Sequence, residues 1–376
     1  MRLDGSPPGR VRLLYVGDLT PGTTSAQRQR ALQEIGCEAA TINIAPSDPR
    51  PQRGLLGRVR RRLFGPRDVL GVNRQILELV RRTPYDAIWL DKALIIDATT
   101  FRAAKESLPR AVFIGYSPDD MYARHNQSPQ FRAHLACYDV FFTTKSYGVQ
   151  ELHALGCRRA VFVDNAFDPH THRPLDITAA DRLRYGGPVG FVGTFERARG
   201  ESMYHLASAG IPVRVWGNRW ERWRTRHPNL RIEARALYGD EYALALNAFD
   251  INLCFLRKQN RDLQTTRTVE IPACGAFMLA ERTDEQRALF VEDSEAAFFE
   301  SDAELLAKTR YYLARQQERE RIAAAGRARC DTGGYSYQSR LCAMLRIAGV
   351  LGGNVREEYP LPGTGVRQSI GCELRF

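Results

Sequence analysis

The sequence predicts an α/β protein built from two doubly wound domains that face each other across a cleft. Short runs rich in Val, Ile and Phe alternate with amphipathic stretches, as buried parallel strands alternate with helices. The alternation stops over residues 166–188, which are rich in Pro, Asp, His and Gly, and then resumes. The length of 376 residues suffices for two domains of ordinary size.

Eleven strand-like runs carry this prediction, six before the interruption and five after it. The first six span residues 11–17, 39–44, 86–91, 111–117, 139–144 and 160–165. The other five span residues 189–193, 212–217, 230–234, 250–255 and 275–280. The expected helices span residues 25–35, 72–82, 97–107, 146–155, 200–209, 240–248, 284–291 and 302–329.

These elements divide the chain into four parts. We predict an N-terminal domain over residues 1–170, a linker over 171–188 and a C-terminal domain over 189–350. Residues 351–376 are expected to form a tail that crosses back to the first domain. Ligands of open α/β sheets bind at the carboxyl ends of the strands, so we expect the site in the cleft.

The composition favours a cytoplasmic bacterial protein that binds anions. The formal net charge is +11, and 49 of the 54 basic residues are Arg, which we interpret as the codon usage of a GC-rich bacterium. No run approaches the roughly 20 apolar residues that span a bilayer, and no apolar signal stretch opens the chain. The eight cysteines lack C-x-x-C spacing, so we expect neither a zinc site nor a redox motif, and reduced thiols.

Polar residues after two strands of the first domain are candidate ligand contacts. Gly17 opens the loop after the first strand, where small residues let a ligand approach a helix N-terminus. A plain turn with a Thr or Ser cap is the alternative. Asp119 and Asp120 follow the strand at 111–117 and could orient substrate hydroxyls, and His125 lies further along the same polar loop. We take these three as candidate catalytic residues, with a surface role as the alternative for His125.

A basic loop opens the second domain. Gly193, Thr194, Arg197 and Arg199 follow the strand at 189–193 and precede a helix, whose free N–H groups and partial positive charge attract anions. Arginine adds bidentate phosphate donors. We therefore predict a pyrophosphate site, with a solvated pair of arginines as the alternative.

Residues 255–280 hold the sharpest pattern. Asp262 and Glu270 are separated by seven residues, and Glu270 opens a helical turn that ends at Gly275. A carboxylate held there can accept two hydrogen bonds from a ribose diol; a helix-start carboxylate in a salt bridge is the alternative. The basic residues that could neutralise phosphate nearby are Arg257, Lys258, Arg261 and Arg267.

Three tryptophans cluster around the end of the strand at 212–217. They are Trp216, Trp220 and Trp223. One of them could stack on a nucleobase or a sugar, and the alternative is that all three fill the core.

Six segments carry a resemblance to a known family. They are G-T-F-E-R-A-R-G (193–200), V-W-G-N-R-W (215–220), R-T-V-E-I-P-A-C-G (267–275), Y-S-P-D-D (116–120), Y-D-V-F-F-T (138–143) and N-A-F-D-P (165–169). With them, most of residues 11–350 resembles the GT-B glycosyltransferases, which have two Rossmann-like domains. The resemblance is strongest to the CgeB-like branch of the "glycosyl transferases group 1" families.

The resemblance implies roles for the matching positions. Glu270 falls on the second acidic residue of the family's E-x7-E element and would bind the nucleotide ribose. Asp262 falls where the first Glu is expected, near the donor sugar, and is a fourth candidate catalytic residue. Arg199 falls on the Lys that holds the pyrophosphate, and Thr194 replaces the usual Arg of that loop. The other candidate contacts to the nucleotide-sugar are Gly193, Gly217, Arg267 and, as sources of a second cation, Arg197, Arg257 and Lys258.

The implied activity is transfer of a sugar from a nucleotide-sugar to a hydroxyl acceptor, with retention, in cell-envelope or glycoconjugate biosynthesis. The acceptor would be a saccharide, a lipid-linked molecule or a small molecule. Because the chain has no D-x-D motif and has basic residues at the strand ends, we expect no metal and no cofactor. Two alternatives stay open: a non-catalytic binding protein with this fold, and a GT-B-fold sugar-nucleotide epimerase.

The segment from Arg50 to Arg67 holds seven Arg and no acidic residue. Its apolar residues Leu55, Leu56, Val59 and Leu63 fall on one helical face. We predict an amphipathic helix that can lie on the anionic inner face of the membrane, with a solvated helix or loop as the alternative. Nucleic acid is not an expected partner, because a recognised binding module is missing.

Overall fold

The computed structural model describes residues 10–45, 64–224 and 226–352, which form two α/β units. Residues 10–164 and 337–352 make up the first unit, and residues 165–336 make up the second. Each unit contains one six-stranded parallel sheet flanked by helices. The predicted pair of Rossmann-like domains is therefore confirmed, and the cleft between them stays a prediction.

The first unit has the strand order β2-β1-β3-β4-β5-β6. Its strands are β1 (Arg12–Gly17), β2 (Glu38–Asn43), β3 (Ala87–Asp91), β4 (Val112–Ser117), β5 (Val140–Thr143) and β6 (Ala160–Phe162). Its helices before the second unit are α1 (Thr24–Glu34), α2 (Val72–Arg82), α3 (Ala98–Ser107), α4 (Pro129–His134) and α5 (Gly148–Ala154). All five residues of β3 are buried, because helices cover both faces of a parallel sheet.

The second unit has the strand order β12-β11-β10-β7-β8-β9, which is that of the Rossmann fold. Its strands are β7 (Gly187–Val192), β8 (Val213–Trp216), β9 (Leu230–Ile232), β10 (Phe249–Cys254), β11 (Met278–Glu281) and β12 (Ala297–Phe299). Its helices are α6 (Ala179–Tyr185), α7 (Arg197–Ser208), α8 (Gly239–Ala248), α9 (Arg267–Ala273), α10 (Asp284–Leu289), α11 (Asp302–Leu313) and α12 (Gln316–Thr332).

Each sheet has a switch point, where the chain leaves two neighbouring strands in opposite directions. In the first sheet these strands are β1 and β3, and in the second they are β7 and β10. Because strand crossovers are right-handed, the connections after the two strands pass to opposite faces of the sheet and leave a crevice at their carboxyl ends. The loops after β7 and β10 are therefore where a ligand of the second unit is expected.

The last described helix, α13 (Tyr337–Ile347), belongs to the first unit although it follows the second unit in the chain. It packs on α1, and Gln338 donates a hydrogen bond to Glu34 at 2.6 Å. The sequence analysis had assigned this stretch to the second domain and the crossing to residues 351–376. Residues 353–376 lie outside the described residues.

Three other elements differ from the sequence-based ones. The predicted linker at 171–188 contains α6 and the start of β7, and β12 was not predicted. The single helix expected over 302–329 is two helices, α11 and α12. The reason is Arg319, whose guanidinium donates to the carbonyl oxygens of Tyr312 and Leu313 and so satisfies the end of α11.

Most of the basic segment from Arg50 to Arg67 lies outside the described residues, since residues 46–63 are not among them. The amphipathic membrane helix therefore stays a prediction. Among the residues that the structure describes, no helix combines the length and the apolar character needed to cross a bilayer.

Candidate active site

The loops after β7 and β10 meet at the switch point of the second sheet. Glu196, in the first loop, joins them. One carboxylate oxygen lies 3.2 Å from Arg257 Nε, and the other accepts the backbone N–H of Lys258 at 3.2 Å. The first loop, which leads into α7, is thereby held against the second, which contains Asp262.

Arg199 is a buried cation at this point, with only 3% of its surface exposed. Its Nη1 donates to the carbonyl oxygen of Thr194 at 3.1 Å, whereas Nε and Nη2 have no hydrogen-bond partner among the described residues. Burial and the charge of Arg267 lower the pKa of Arg199 to about 10. The guanidinium therefore stays protonated at neutral pH, and two of its nitrogens have unused N–H groups.

Arg267, the first residue of α9, is the second cation beside Arg199. The guanidinium carbons of Arg267 and Arg199 lie 5.6 and 5.7 Å from the centre of the Phe191 ring. Arg267 Nε also lacks a hydrogen-bond partner within the described part of the chain. The two close cations repel each other, and both have unused hydrogen-bond donors. A bound anion is therefore favoured, because it would offset the repulsion and accept the unused hydrogen bonds.

Glycines bring the backbone close to these arginines. A Cβ on Gly193 would lie 2.7 Å from the Phe191 ring and 3.3 Å from Arg267 Nη1. A Cβ on Gly217, whose φ is +151°, would lie 1.9 Å from the carbonyl oxygen of Gly193. The loops after β7 and β8 can therefore pack together only with glycine at these positions.

Two of the three tryptophans are core residues, as the alternative in the sequence analysis held. Trp216 and Trp220 are 4% and 0% exposed. The indole N–H of Trp216 donates to the carbonyl oxygen of Tyr185, and that of Trp220 to the carbonyl oxygen of Gly193. Trp223 is half-buried and lines a cavity on α7.

Glu270 is a buried carboxylate on α9, with 5% of its surface exposed. The Tyr242 hydroxyl donates to its Oε2 at 2.7 Å, and His172 Nε2 lies 3.7 Å from its Oε1. Since His172 Nδ1 accepts the backbone N–H of Asp168, the proton of the neutral ring is on Nε2 and faces Glu270. Burial and the charge of Glu270 raise the pKa of Tyr242, which therefore remains a donor.

The remaining predicted residues of the second unit divide into two groups. Asp262 accepts a hydrogen bond from Asn260 at 2.8 Å, and its charge favours the protonated form of Arg199. The side-chain amine of Lys258 forms an ion pair with Glu281. Arg197 faces away from this site: its side chain is 83% exposed and pairs with Glu201 at 2.7 Å.

The second unit thus brings most of the predicted binding residues to one edge of its sheet. Sequence reasoning missed three participants, Glu196, Tyr242 and His172. Glu196 lies inside the G-T-F-E-R-A-R-G segment, so its position in the loop was a usable signal. Tyr242 and His172 reach Glu270 only through the tertiary fold, and no local pattern marks them.

In the first unit, Gly17 lies against a buried ion pair. A Cβ on it would lie 3.0 Å from Asp91, whose carboxylate binds Arg28 with contacts of 2.7 and 3.0 Å and accepts the Tyr15 hydroxyl at 2.6 Å. The loop also forms the predicted turn and cap, since Thr23 accepts the N–H of Ala26.

Asp119, Asp120 and His125 have three different environments. Asp119 forms an ion pair with Lys92, a residue missed by the sequence analysis although it directly follows β3. Asp120 is 2% exposed, and its Oδ1 accepts the backbone N–H of Tyr122, as in a turn. His125 is exposed on a short 3-10 helix. Asp119 and Lys92 are thus the polar pair at the carboxyl ends of β4 and β3.

Residues 199–346 match the family model described as "Glycosyl transferase-like". No curated protein matches the chain. Sucrose-phosphate synthase from Thermosynechococcus elongatus is similar in structure, with a TM-score of 0.62 and 14% identity over 90% of this chain and 98% of that one.

Two further solved structures are similar. Anabaena HepE in complex with UDP and glucose has a TM-score of 0.58 and 12% identity over 91% of this chain and 100% of that one. A putative UDP-N-acetylglucosamine 2-epimerase from Listeria monocytogenes has a TM-score of 0.52 and 12% identity over 90% and 95%. The chain has the GT-B fold. In this GT-B protein, the segment similar to glycosyltransferases contains Arg199, Arg267 and Glu270.

Proposed function

We propose that this chain is a glycosyltransferase that moves a sugar from a nucleoside-diphosphate sugar to a hydroxyl acceptor. The observation that carries the proposal is the pair formed by the buried Arg199 and the half-buried Arg267, with unused N–H groups at the switch point of the second sheet. The match to a glycosyltransferase-like family model supports it. Because HepE has been solved with UDP and with UDP-glucose, we propose a uridine nucleotide as the donor.

In this proposal, the second unit binds the donor through two separate contacts. Arg199 and Arg267 bind the diphosphate, which Gly193 allows to approach the backbone. The Glu270 carboxylate, fixed by Tyr242, accepts hydrogen bonds from the ribose hydroxyls. Since the N–H groups of Arg199 are shielded from water, their interaction with the diphosphate is stronger than it would be in solvent.

The chemical step breaks the bond between the anomeric carbon and the diphosphate oxygen and forms a bond to the acceptor oxygen, whose proton passes to the leaving diphosphate. Negative charge grows on the leaving diphosphate, and Arg199 and Arg267 stabilise it. We propose that this charge stabilisation needs no metal and that the anomeric configuration is retained. Asp262 would lie near the donor sugar, while Asp119 with Lys92, Asp120 and His125 would contact the acceptor.

The finer assignments belong to the same proposal. The chain would be a member of the CgeB-like branch and act in the cytoplasm on a saccharide, lipid-linked or small-molecule acceptor. The Arg50–Arg67 segment would bring it to the anionic inner face of the membrane.

Donor binding is tested by isothermal titration of UDP, UMP and uridine. Glu270→Ala should weaken the binding of all three, since a hydrogen bond to a buried charge contributes about 1.5–3 kcal/mol, or roughly 10- to 150-fold in affinity. Arg321→Ala is the matched control in the same unit, because Arg321 is exposed on α12. Unchanged affinity for uridine in Glu270→Ala would show that the ribose assignment is wrong.

Turnover distinguishes the proposed transferase from its two alternatives. A transferase should consume UDP-sugar faster when a hydroxyl acceptor is added, and NMR of the product should show the anomeric configuration of the donor. The rate should survive EDTA. A binding protein would consume no donor, and an epimerase would form a new UDP-sugar with no acceptor present.

A further inference from the structure

Helix α7 carries a second concave site on the face opposite Arg199. Arg197, Glu201 and Tyr204 follow one another at helical spacing along the exposed face, whereas Arg199 and Met203 are buried. The exposed face borders a cavity of about 330 Å³. Its lining consists of Phe195, Arg197, Glu201, Tyr204, Trp223 and Arg226. The cavity is at the lower end of the size range of small-molecule sites.

The aromatic part of the lining depends on a glycine inside the helix. A Cβ on Gly200 would lie 3.1 Å from the rings of both Phe195 and Trp223, so glycine lets the indole rest on α7. The centres of the two rings are 5.5 Å apart, and Tyr204 keeps 40% of its surface exposed. Aromatic surface is therefore available next to water without being sealed into the core.

Of the three charged side chains that line this cavity, Arg197 and Glu201 form an ion pair, and Arg226 lies against an aromatic ring. Arg197 pairs with Glu201 at 2.7 Å, and the guanidinium of Arg226 lies 5.0 Å from the centre of the Trp223 ring. The lining thus offers donors and acceptors side by side. A phosphate needs an excess of donors, whereas a sugar ring has hydroxyls that both donate and accept and an apolar face that covers an aromatic ring.

We propose that this cavity is a saccharide-binding subsite, separate from the donor site, that takes a neutral hexose unit of an oligosaccharide. The sugar ring covers Trp223 and Tyr204, and its hydroxyls bond to Arg197 and Glu201. That the bound oligosaccharide is the acceptor rests on the proposed function; the binding itself does not. The subsite would hold a growing glycan on the enzyme between transfers and so lower the acceptor concentration needed.

The tryptophans of the chain provide a direct readout. Of the four, Trp89, Trp216 and Trp220 are at most 4% exposed, and Trp223 is half-buried. Quenching of tryptophan fluorescence by acrylamide therefore reports mainly on Trp223. The probes are maltotetraose, cellotetraose and chitotetraose, each at millimolar concentration. We expect at least one of them to protect the full-length protein from quenching.

Two variants and one control decide the assignment. Tyr204→Ala should lower the affinity for the protecting tetrasaccharide about tenfold, as expected for the loss of one stacked ring, and Glu201→Ala should lower it as well. Tyr311→Ala removes an exposed tyrosine of α11 and should leave the affinity unchanged. UDP affinity should be the same in all three variants, so a failure of the donor proposal is seen separately.

Three results would overturn the proposal. The first is an absence of protection by all three tetrasaccharides. The second is protection that persists at wild-type affinity in Tyr204→Ala. The third is protection by inorganic pyrophosphate in place of the tetrasaccharides, which would make the cavity an anion site.

Discussion

Arg199 illustrates how a proposed binding residue can lower the stability of the free protein. Its Nε and Nη2 are buried without hydrogen-bond partners in the described structure, Glu196 lies 4.0 Å from Nε, and Arg267 repels the guanidinium. A buried polar group without a hydrogen bond costs about 1–3 kcal/mol. Arg214, on β8, is similarly buried but donates to three carbonyl oxygens and to Glu233. The two arginines are therefore similarly buried, but we interpret Arg214 as a structural residue and Arg199 as a ligand-binding one.

A methionine substitution should separate these roles. Arg199→Met should leave the melting temperature of the ligand-free protein unchanged or raise it, because an unfavourable buried charge is removed. The same variant should bind UDP at least about tenfold more weakly, since charge-assisted bonds are lost. Calorimetry and titration measure the two effects.

Arg214→Met is the matched control for this substitution. It should lower the melting temperature clearly, because its carbonyl partners would remain buried without a donor. A comparable loss of stability in Arg199→Met would instead show that Arg199 has a structural role.

At the scale of elements, the proposed donor site depends on how closely the loops after β7 and β8 pack. The backbone N–H of Gly193 donates to the carbonyl oxygen of Trp216 at 2.8 Å. Gly217 directly follows Trp216, and a Cβ on Gly217 would lie 1.9 Å from the Gly193 carbonyl oxygen. The position of the Gly193 loop, and with it that of Arg199, is therefore set partly by the neighbouring strand.

Two alanine substitutions test this packing. Gly210 and Gly217 both have positive φ values, +87° and +151°, but a Cβ on Gly210 would meet nothing within 4 Å. Gly210→Ala should cost only about 1–2 kcal/mol for its left-handed backbone and keep UDP affinity. Gly217→Ala should cost more and weaken UDP binding, as measured by denaturant unfolding and titration. Equal effects of the two variants would contradict the loop contact.

The sequence predicted the elements better than it predicted the direction of side chains. Long apolar runs such as β1 and β3 were recognised, while β12 has only three residues and was missed. The sequence places Arg197 and Arg199 in the same loop and predicts the same class of ligand for both, yet two positions on a helix differ by about 200° in direction. The fold turns Arg199 inward and Arg197 to solvent, and it is Arg267 that lies beside Arg199.

At the scale of the whole molecule, α13 completes the first unit from the far end of the chain. Tyr337 lies over the Arg28 guanidinium at 5.6 Å, and Arg340 lies 3.7 Å from Asp164. Arg28 is 2% exposed and pairs with Asp91 at the carboxyl end of β3. Without α13, this ion pair would lose part of its cover.

Truncation should therefore affect the two units differently. A chain that ends at Ser336 should lose stability in the first unit only, because uncovering Arg28 and the apolar face of α1 removes its packing. A chain that ends at Gly352 keeps α13 and is the control. Calorimetry with and without UDP should identify the second unit as the transition that UDP shifts. One unchanged transition in both chains would contradict the role of α13.

The return of α13 also sets the order of events during synthesis on the ribosome. The first domain is discontinuous in the chain, since the ~170 residues of the second unit lie between its two parts. At about 5–20 residues per second, translating that insert takes roughly 10–30 s. The second domain can fold as it emerges, whereas the nascent first domain must wait with one face uncovered until its closing helix has been made. A ribosome stalled near the end of the message would thus leave a finished second domain joined to an unfinished first one.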